Sequence, residues 1–201
     1  MLPSLMRQGK EFPFTEAVRI PPMSQGHKLL DLGCGTRKRP GAVGLDFNDR
    51  TDADVFHDLN TFPYPFDDQS FDEILLDNTL EHLDNVVRVI EELHRICRRG
   101  GLVTIVVPYF RSVWACIDPT HKHFFTVGSF DYFDPDQVFS SRYPYSPARF
   151  KRERVVFNET IRNSWLKKVV LKVANRWPRG YEYYLSHLYP LDDLTFRLRR
   201  L

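Results

Sequence analysis

Two carboxylates and two glycines are the first residues of this 201-residue chain whose spacing suggests chemistry. Asp31, Gly33 and Gly35 lie in one short segment, and Asp46 ends a second apolar stretch further along. Glycines let the backbone approach a ligand closely, because they lack a side chain and accept left-handed dihedral angles. A carboxylate at the end of the second stretch is well placed to accept hydrogen bonds from ribose hydroxyls. This spacing predicts a binding site for a cofactor that contains a nucleoside.

The same segment lacks the pattern of a dinucleotide site. Such a site uses G-x-G-x-x-G, in which the third small residue packs a helix on a strand and the helix N-terminus faces a pyrophosphate. Lys38 occupies the third position here, inside the basic run Thr36–Pro40. The pattern therefore argues against NAD or FAD.

These residues need a parallel sheet to bring them together. Residues 29–32 and 42–45 are apolar enough for buried strands, and the β-branched run 103–107 predicts a strand covered on both faces. Apolar residues recur every three or four positions over 83–97, which predicts a helix. Alternating strands and helices are typical of an α/β fold, which binds ligands at the carboxyl edge of its sheet.

The first connection between the predicted strands is short. Only ten residues separate Leu32 from Val43, and they include Pro40 and Gly41. A crossover between parallel strands normally needs about a dozen residues or more with its helix. We therefore expect a shortened first crossover, in which a basic loop around Arg37–Arg39 replaces the helix. This loop is either a solvated turn or a contact for an anionic substrate.

A series of short motifs continues downstream of the glycine turn. They are the turn itself at 28–36, the strand-end residues 57–60, the F-D strand 70–78, the L-E-H segment 80–83 and the helix-to-strand corner 93–102. From Lys28 to Pro108 the series resembles the class I S-adenosylmethionine (SAM)-dependent methyltransferases, in their small-molecule, type-11-like branch. One departure is Arg99, which stands where that family usually has a proline at the helix-to-strand corner. The resemblance implies an α/β, Rossmann-like seven-stranded methyltransferase fold with a mostly parallel sheet and a C-terminal helical extension. It also implies an enzyme with SAM as its cofactor.

The resemblance assigns roles to individual residues around that cofactor. The glycine turn would hold the methionine part of SAM, and a further acid with the next backbone amide would bind the adenine. The end of the fourth strand would border the reactive methyl group. The implied cofactor-binding residues are Asp31, Gly33 and Gly35 at the methionine, Asp46 at the ribose, Asp58 and Leu59 at the adenine, and Asn78 and Leu80 at the methyl group.

Three histidines, His82, His121 and His123, are candidates for catalysis. Methyl transfer to a hydroxyl whose pKa lies far above 7 is helped by a base, and histidine is the usual choice. Two other roles stay open. Asp118, His121 and His123 have suitable chemistry for a metal, although no known spacing supports such a site. The histidines can also hydrogen-bond their loop to the sheet. We predict a catalytic role and no metal site.

We expect a single methyltransferase domain over residues 1–201. Its parts would be an irregular N-terminal arm (1–27), a cofactor-binding core (28–108) and a substrate side (109–201). The substrate side would contain the loop after the fifth strand, the last strands and the C-terminal helical extension. Residues 148–158 alternate partly between apolar and polar types, so we expect the sixth and seventh strands there.

A basic amphipathic helix is predicted over 164–177. It has an apolar stripe with a tryptophan near each end, opposite lysine and arginine side chains. Such a helix either packs on its own domain or lies on an anionic membrane surface as a peripheral contact. The aromatic segment 181–191 would cover the substrate pocket or form a dimer contact. The oligomeric state is not predicted.

Composition limits the classes of partner and the cellular compartment that we expect for this chain. A net charge of +2 is too small to indicate nucleic acid. Three cysteines, Cys34, Cys97 and Cys116, stand in unrelated places, which favours a reducing cytoplasmic environment over a disulfide framework. The first residues lack a long apolar run, so neither a signal peptide nor a spanning helix is expected.

The acceptor is the least determined part of the interpretation. By analogy with the L-E-H branch, we expect a small molecule such as a sugar or glycolipid intermediate, methylated on oxygen or nitrogen. Residues Asp77–Leu80 lack the N-P-P-Y type motif, which argues against an exocyclic-amine acceptor. Two alternatives stay open: an RNA or protein methyltransferase, and a non-catalytic SAM-binding regulatory protein.

Overall fold

The computed structural model describes residues 26–158 and 165–201. Its strands are β1 (Leu29–Leu32), β2 (Val43–Asp46), β3 (Val55–Phe56), β4 (Phe71–Asp77), β5 (Cys97–Pro108), β6 (Phe150–Asn158) and β7 (Asp193–Arg200). Its main helices are α1 (Val86–Ile96), α2 (Val113–Ile117), α3 (Val138–Arg142) and α4 (Trp165–Arg176). The strands form one sheet in the order β3-β2-β1-β4-β5-β7-β6, in which only β7 runs antiparallel to its neighbours. The predicted seven-stranded, mostly parallel sheet is confirmed.

The core lies between one face of this sheet and α1. Leu30, Ile74 and Ile105 come from three neighbouring strands, and each is fully buried on this face. Val89 and Leu93 of α1 pack into the same core, as the three-and-four spacing of apolar residues predicts. Burial on this scale fixes the ends of β1 and β4 relative to each other, and the candidate site lies at those ends.

The strand order creates a crevice at the carboxyl end of β1. The chain leaves β1 towards β2 on one side and returns to the other side as β4. The three strands are in register there, since Leu32 pairs with both Leu45 and Leu76. Ligands of open α/β sheets bind where the strand order reverses in this way.

The first crossover contains no helix, which confirms the predicted shortening. Its basic loop is instead attached to the sheet by side chains. Asp31 Oδ2 accepts a hydrogen bond of 2.8 Å from the Arg39 amide, and Lys38 Nζ lies 2.8 Å from an Asp54 carboxylate oxygen. The stem of Lys38 packs on β2 so closely that a Cβ at Gly44 would lie 2.5 Å from Lys38 Cδ. Lys38 therefore belongs to the scaffold of the loop.

One arginine of α1 organises the connection between β3 and β4. Arg95 donates to the carbonyls of Tyr64 and Phe66 and to the carboxylates of Glu92 and Asp68. Burial raises the pKa of Glu92, but hydrogen bonds from Arg95 and the Tyr64 amide outweigh it and lower that pKa overall. This network fixes a helix-free connection that leads from the end of β3 to the start of β4.

The end of the chain differs from expectation. Residues 148–158 supply only β6, and the seventh strand is built from the last residues of the chain. α4, a one-turn helix at Pro178–Gly180 and a π-helical turn at Tyr181–Leu185 lie between β6 and β7, so they form an internal connection and not a C-terminal extension. β7 is buried because Phe196 and Leu198 face the core between β5 and β6.

Residues 1–25 of the expected arm and residues 159–164 before α4 lie outside the described part of the chain. Among the helices of residues 26–158 and 165–201, none combines the length and the apolar character needed to cross a bilayer.

Candidate functional site

The turn after β1 depends on its first glycine for two reasons. Gly33 has a φ of +69°, and a Cβ placed there would lie only 2.3 Å from Thr79 Oγ1. Gly35 also has a positive φ, of +54°, but a Cβ there would meet no atom of the described residues within 4 Å. The backbone at Gly35 therefore borders open space, as a close-approach site for a ligand requires.

Asp46 fastens this turn to the end of β2. Its Oδ2 accepts a hydrogen bond of 3.0 Å from the Gly35 amide, and its Oδ1 accepts one of 2.9 Å from the Asn48 amide. Each carboxylate oxygen has a second lone-pair direction, so both can still accept from a ligand hydroxyl. The predicted ribose-binding acid is thus also a structural part of the turn.

A cavity of about 550 Å³, which we call the nucleoside cavity, opens beside Asp46. Asp58 and Leu59 line it from the end of β3, and His82 lines it from the turn after β4. Phe47 forms part of its wall although 78% of its surface is exposed. An exposed ring beside a carboxylate suits a ligand that has both a flat apolar group and hydroxyls.

A second cavity of about 560 Å³, the basic cavity, adjoins the first. Gly33 and Asn78 line both cavities, so the two meet at the carboxyl ends of β1 and β4. Asp31, Arg37 and Arg39 line the basic cavity, which therefore offers groups of both charges. Burial raises the pKa of Asp31, and the hydrogen bond from the Arg39 amide opposes that shift.

Asn78 joins the two cavities in a left-handed backbone conformation, with a φ of +49°. Its Nδ2 donates a hydrogen bond of 2.9 Å to Asp77 Oδ1. Asparagine is one of the few residues other than glycine that accept this conformation readily. Such conformations are common at ligand sites, where they direct a side chain or a backbone amide towards the ligand.

The structure brings together seven of the eight residues predicted at the cofactor. The exception is Leu80, whose fully buried side chain packs in the core and lines neither cavity. It starts the 3-10 turn Leu80–His82 and contacts the apolar side of the sheet. Its neighbour Thr79 borders the nucleoside cavity instead. Asp31 and Gly35 line the basic cavity, and Asp46, Asp58 and Leu59 line the nucleoside cavity. The other two, Gly33 and Asn78, line both cavities.

Two of the three candidate histidines lie together. The rings of His82 and His121 are 4.7 Å apart in an edge-to-face arrangement. His123 is engaged elsewhere, because its Nε2 lies 2.8 Å from the Leu83 carbonyl and ties the loop to the turn after β4. Burial lowers the pKa of His82, and the neighbouring His121 adds to this effect. Both effects favour the neutral form of the His82 ring at the cavity wall.

Glu81 is a buried acid at this site that the sequence interpretation did not single out. Its side chain is 1% exposed, and neither carboxylate oxygen has a hydrogen-bond partner among the described residues. Burial raises the pKa of Glu81 to about 8, and nearby carboxylates add to the shift. One ligand atom each from Glu81, His82 and His121 lies within 4.8 Å of the others. This set replaces the grouping of Asp118, His121 and His123 that was considered from the sequence.

A family comparison agrees with this geometry. Residues 30–105 match the model of a family described as a methyltransferase domain. The match runs from β1 into β5, so it includes the basic cavity, all lining residues of the nucleoside cavity except Thr120, and the Glu81–His82 turn. No curated protein sequence matches the chain.

Solved structures share the fold at low sequence identity. A SAM-dependent methyltransferase of Archaeoglobus fulgidus superposes with a TM-score of 0.52 at 17% identity, covering 87% of this chain and 86% of that one. One of Mesorhizobium loti has a TM-score of 0.53 at 16% identity, with coverages of 86% and 90%. A third structure is a complex between the Haloferax volcanii Trm112 methyltransferase activator and a protein described as a methyltransferase. A chain of this complex superposes with a TM-score of 0.58 at 17% identity, covering 89% of this chain and 84% of that one.

Proposed function

We propose that this chain is a class I SAM-dependent methyltransferase that transfers the methyl group of SAM to an oxygen or nitrogen of a small-molecule acceptor. The observation that carries the proposal is the pair of adjoining cavities at the carboxyl ends of β1 and β4. One has a ring and carboxylates, and the other has two acids and two arginines. SAM has a matching division, with adenosine on one side of its sulfur and an amino acid on the other.

The nucleoside cavity fits the adenosyl half of SAM. We assign the ribose hydroxyls to Asp46, which keeps free lone pairs on both oxygens. Asp58 and the Leu59 amide are assigned to the adenine edge, and the Phe47 ring to its flat face. At the neighbouring Gly35, no side chain of residues 26–158 and 165–201 lies within 4 Å of the position that a Cβ would take, which leaves room for the ligand beside the turn.

The basic cavity fits the amino-acid half. We assign Asp31 to the methionine ammonium group and the guanidinium of Arg39 to the methionine carboxylate, since both residues line this cavity. Arg39 is held at the rim because its own amide donates to Asp31. This assignment favours a contact role for the basic loop over a purely solvated turn.

Positioning is the main contribution of this chain to the reaction. SAM supplies a methyl group on a positively charged sulfur, so the leaving group is already activated. The chain must orient an acceptor lone pair in line with that methyl group and exclude water. Asn78 and Thr79 border the junction of the cavities, and His82 continues that wall. We assign activation of the acceptor to His82 and its neighbour His121, whereas His123 anchors the loop.

A labelling experiment tests the acceptor class. The purified chain is incubated with methyl-labelled SAM and a cell extract separated into small-molecule, lipid, RNA and protein fractions. We expect label in the small-molecule or lipid fraction together with release of S-adenosylhomocysteine. Label in the RNA or protein fraction would show that the acceptor is a macromolecule and would contradict the proposed small-molecule acceptor. Binding of S-adenosylhomocysteine without turnover in any fraction would identify a non-catalytic SAM-binding protein.

We also propose that α4 makes a peripheral membrane contact, which suits a glycolipid acceptor. Ala174 is the only residue of α4 that is fully buried, and Val170 and Leu171 pack against the core, so only part of the apolar surface of α4 faces the described domain. Trp165, Val169 and Trp177 are 76%, 50% and 55% exposed. α4 contains lysines and an arginine and no acidic residue, so its surface complements an anionic bilayer. Its exposed basic residues are Lys168, Lys172 and Arg176.

A further inference from the structure

We propose that Glu81, His82 and His121 bind one divalent cation of the zinc type, which activates the acceptor beside the cofactor cavity. Two histidines and one carboxylate are a common protein ligand set for catalytic zinc, with a fourth position left open. The catalytic use of the ion rests on the proposed function, whereas binding of the ion does not. The two are therefore tested by separate measurements.

The distances allow the three groups to share an ion. One ligand atom of each group lies within 4.8 Å of the others. Zinc bonds of about 2.1 Å in a tetrahedron place ligand atoms about 3.4 Å apart. The side chains must therefore draw together by at most about 1.4 Å, which small torsional rotations achieve.

Hydrogen bonds hold both imidazoles in the state that a metal requires. The Nδ1 atom of His121 lies 3.2 Å from the Ala115 carbonyl. Since a carbonyl oxygen only accepts, this nitrogen carries the proton, and Nε2 keeps its lone pair. A ligating histidine is typically oriented in this way by a backbone carbonyl or carboxylate behind it.

The same holds for His82 through a relay of two groups. The Thr120 hydroxyl donates to Asp118 Oδ1 at 2.7 Å, so its oxygen is left to accept from Nδ1–H of His82 at 2.9 Å. This arrangement leaves the lone pair on Nε2 of His82. Asp118 acts here behind a ligand, not as a ligand itself.

Glu81 supplies the third group and an independent indication of a missing partner. Its side chain is 1% exposed, yet both carboxylate oxygens lack a hydrogen-bond partner in the described residues. Buried polar groups almost always have partners, and an unpaired buried carboxylate is strongly unfavourable. The nearby carboxylates of Asp193, Asp77 and Asp118 increase the negative charge around it. A divalent cation would satisfy both oxygens and offset this charge.

The location gives the ion a role in methyl transfer. His82 and Thr120 line the nucleoside cavity, so the open coordination position is close to the bound cofactor. An acceptor hydroxyl at that position loses its proton more readily, because the ion stabilises the alkoxide. The proton is released to water, the oxygen–methyl bond forms, and the carbon–sulfur bond of SAM breaks. The products are the methyl ether, S-adenosylhomocysteine and one proton.

Calorimetry on metal-free protein tests the binding step. We expect one Zn²⁺ per chain, and Co²⁺ should give the visible absorption of a tetrahedral site. Glu81→Gln and His121→Ala should each weaken Zn²⁺ binding by about a hundredfold. His187→Ala is the matched control, since His187 is exposed and lines neither cavity. Its affinity should equal that of the wild type.

Thermal unfolding separates loss of the ligand from loss of the fold. Zn²⁺ should raise the unfolding temperature of the wild type but not that of Glu81→Gln. The metal-free variant should be about as stable as the metal-free wild type, because an amide of nearly the same shape replaces a carboxyl that already lacks a hydrogen-bond partner in the described residues. Binding of S-adenosylhomocysteine, measured in parallel, reports on the cofactor site alone.

Three results would overturn the inference. One is no Zn²⁺ or Co²⁺ binding by protein that still binds S-adenosylhomocysteine, which would leave the proposed function intact. Another is metal binding that both variants retain, which would place the ion elsewhere. The third is equal turnover with and without a chelator, because the histidines would then act without a metal. Failure to bind S-adenosylhomocysteine would instead contradict the cofactor assignment.

Discussion

Asp46 fixes the backbone with the same carboxylate that we assign to the ribose. Its two oxygens accept from the amides of Gly35 and Asn48, and this fixes the turn against β2. Asp46 also lines the nucleoside cavity. Loss of the acid should therefore loosen the turn and remove the proposed ribose contact together.

Replacing this acid gives the first residue-scale prediction. Asp46→Ala should weaken binding of S-adenosylhomocysteine by about tenfold to a hundredfold, since a hydrogen bond to a charged group contributes about 1.5–3 kcal/mol. Isothermal titration calorimetry measures the change. Asp49→Ala, an exposed acid three positions further on, should bind like the wild type. Unchanged affinity in Asp46→Ala would remove the ribose assignment.

The proposed adenine contact of Phe47 gives the second residue-scale prediction. Phe47→Ala should weaken S-adenosylhomocysteine binding by about tenfold, because stacking of a base on an aromatic ring contributes about 1–3 kcal/mol. Phe56→Ala is a close control, since Phe56 is 57% exposed on the neighbouring strand and does not line the cavity. Equal losses in the two variants would mean that the ring has only a general effect on stability.

At the scale of elements, α4 is unusual because its outward face is both apolar and basic. Successive residues of a helix turn by about 100°, so Trp165, Val169 and Val173 form one stripe, and Lys172 and Arg176 lie beside it. The exposed Trp177 follows directly after α4 and extends its apolar surface. Its ring stacks on that of Tyr184, with 5.9 Å between the ring centroids. This is the surface that an interfacial helix presents to lipid headgroups and the upper acyl chains.

Vesicle binding tests that surface. The chain should bind phosphatidylcholine vesicles that contain phosphatidylserine and should bind pure phosphatidylcholine much less. Val169→Asp with Val173→Asp should reduce binding by more than about tenfold, because each buried valine contributes about 1.5 kcal/mol. Val138→Asp, at a valine that is 73% exposed on α3, is the matched control. A self-associating chain that ignores vesicles would show instead that a second copy covers the stripe.

The elements around the cofactor could be predicted because their signals are local. Gly33, Gly35 and Asp46 lie within a few residues of the strands that position them, so spacing alone located them. β7 was missed because its apolar residues alternate with arginines, and its pairing partners β5 and β6 are far away in the sequence. Glu81 was missed because only the fold shows that its carboxyl is buried and lies close to His121.

At the scale of the whole molecule, the two halves of the sheet differ in size. β1, β2 and β3 have 4, 4 and 2 residues, whereas β5, β6 and β7 have 12, 9 and 8. The connections between the short strands contain no helix and are held by side chain to backbone contacts such as Arg39 to Asp31. Short strands and helix-free loops have low local stability, so this half opens more readily than the other.

A ligand bound across the ends of β1, β2, β3 and β4 must therefore stabilise one half selectively. We expect S-adenosylhomocysteine to slow amide hydrogen exchange over 33–42 and 57–61 while α1 and β5 change little. Ligand at about a hundred times its dissociation constant should also add about 2.7 kcal/mol to the free energy of unfolding. At the same concentration Asp46→Ala should gain only about 0.4–1.4 kcal/mol, because its affinity is tenfold to a hundredfold weaker, and its protection from exchange should be correspondingly smaller. Protection confined to β6 and β7 would place the ligand on the other half of the sheet and contradict the assigned cavities.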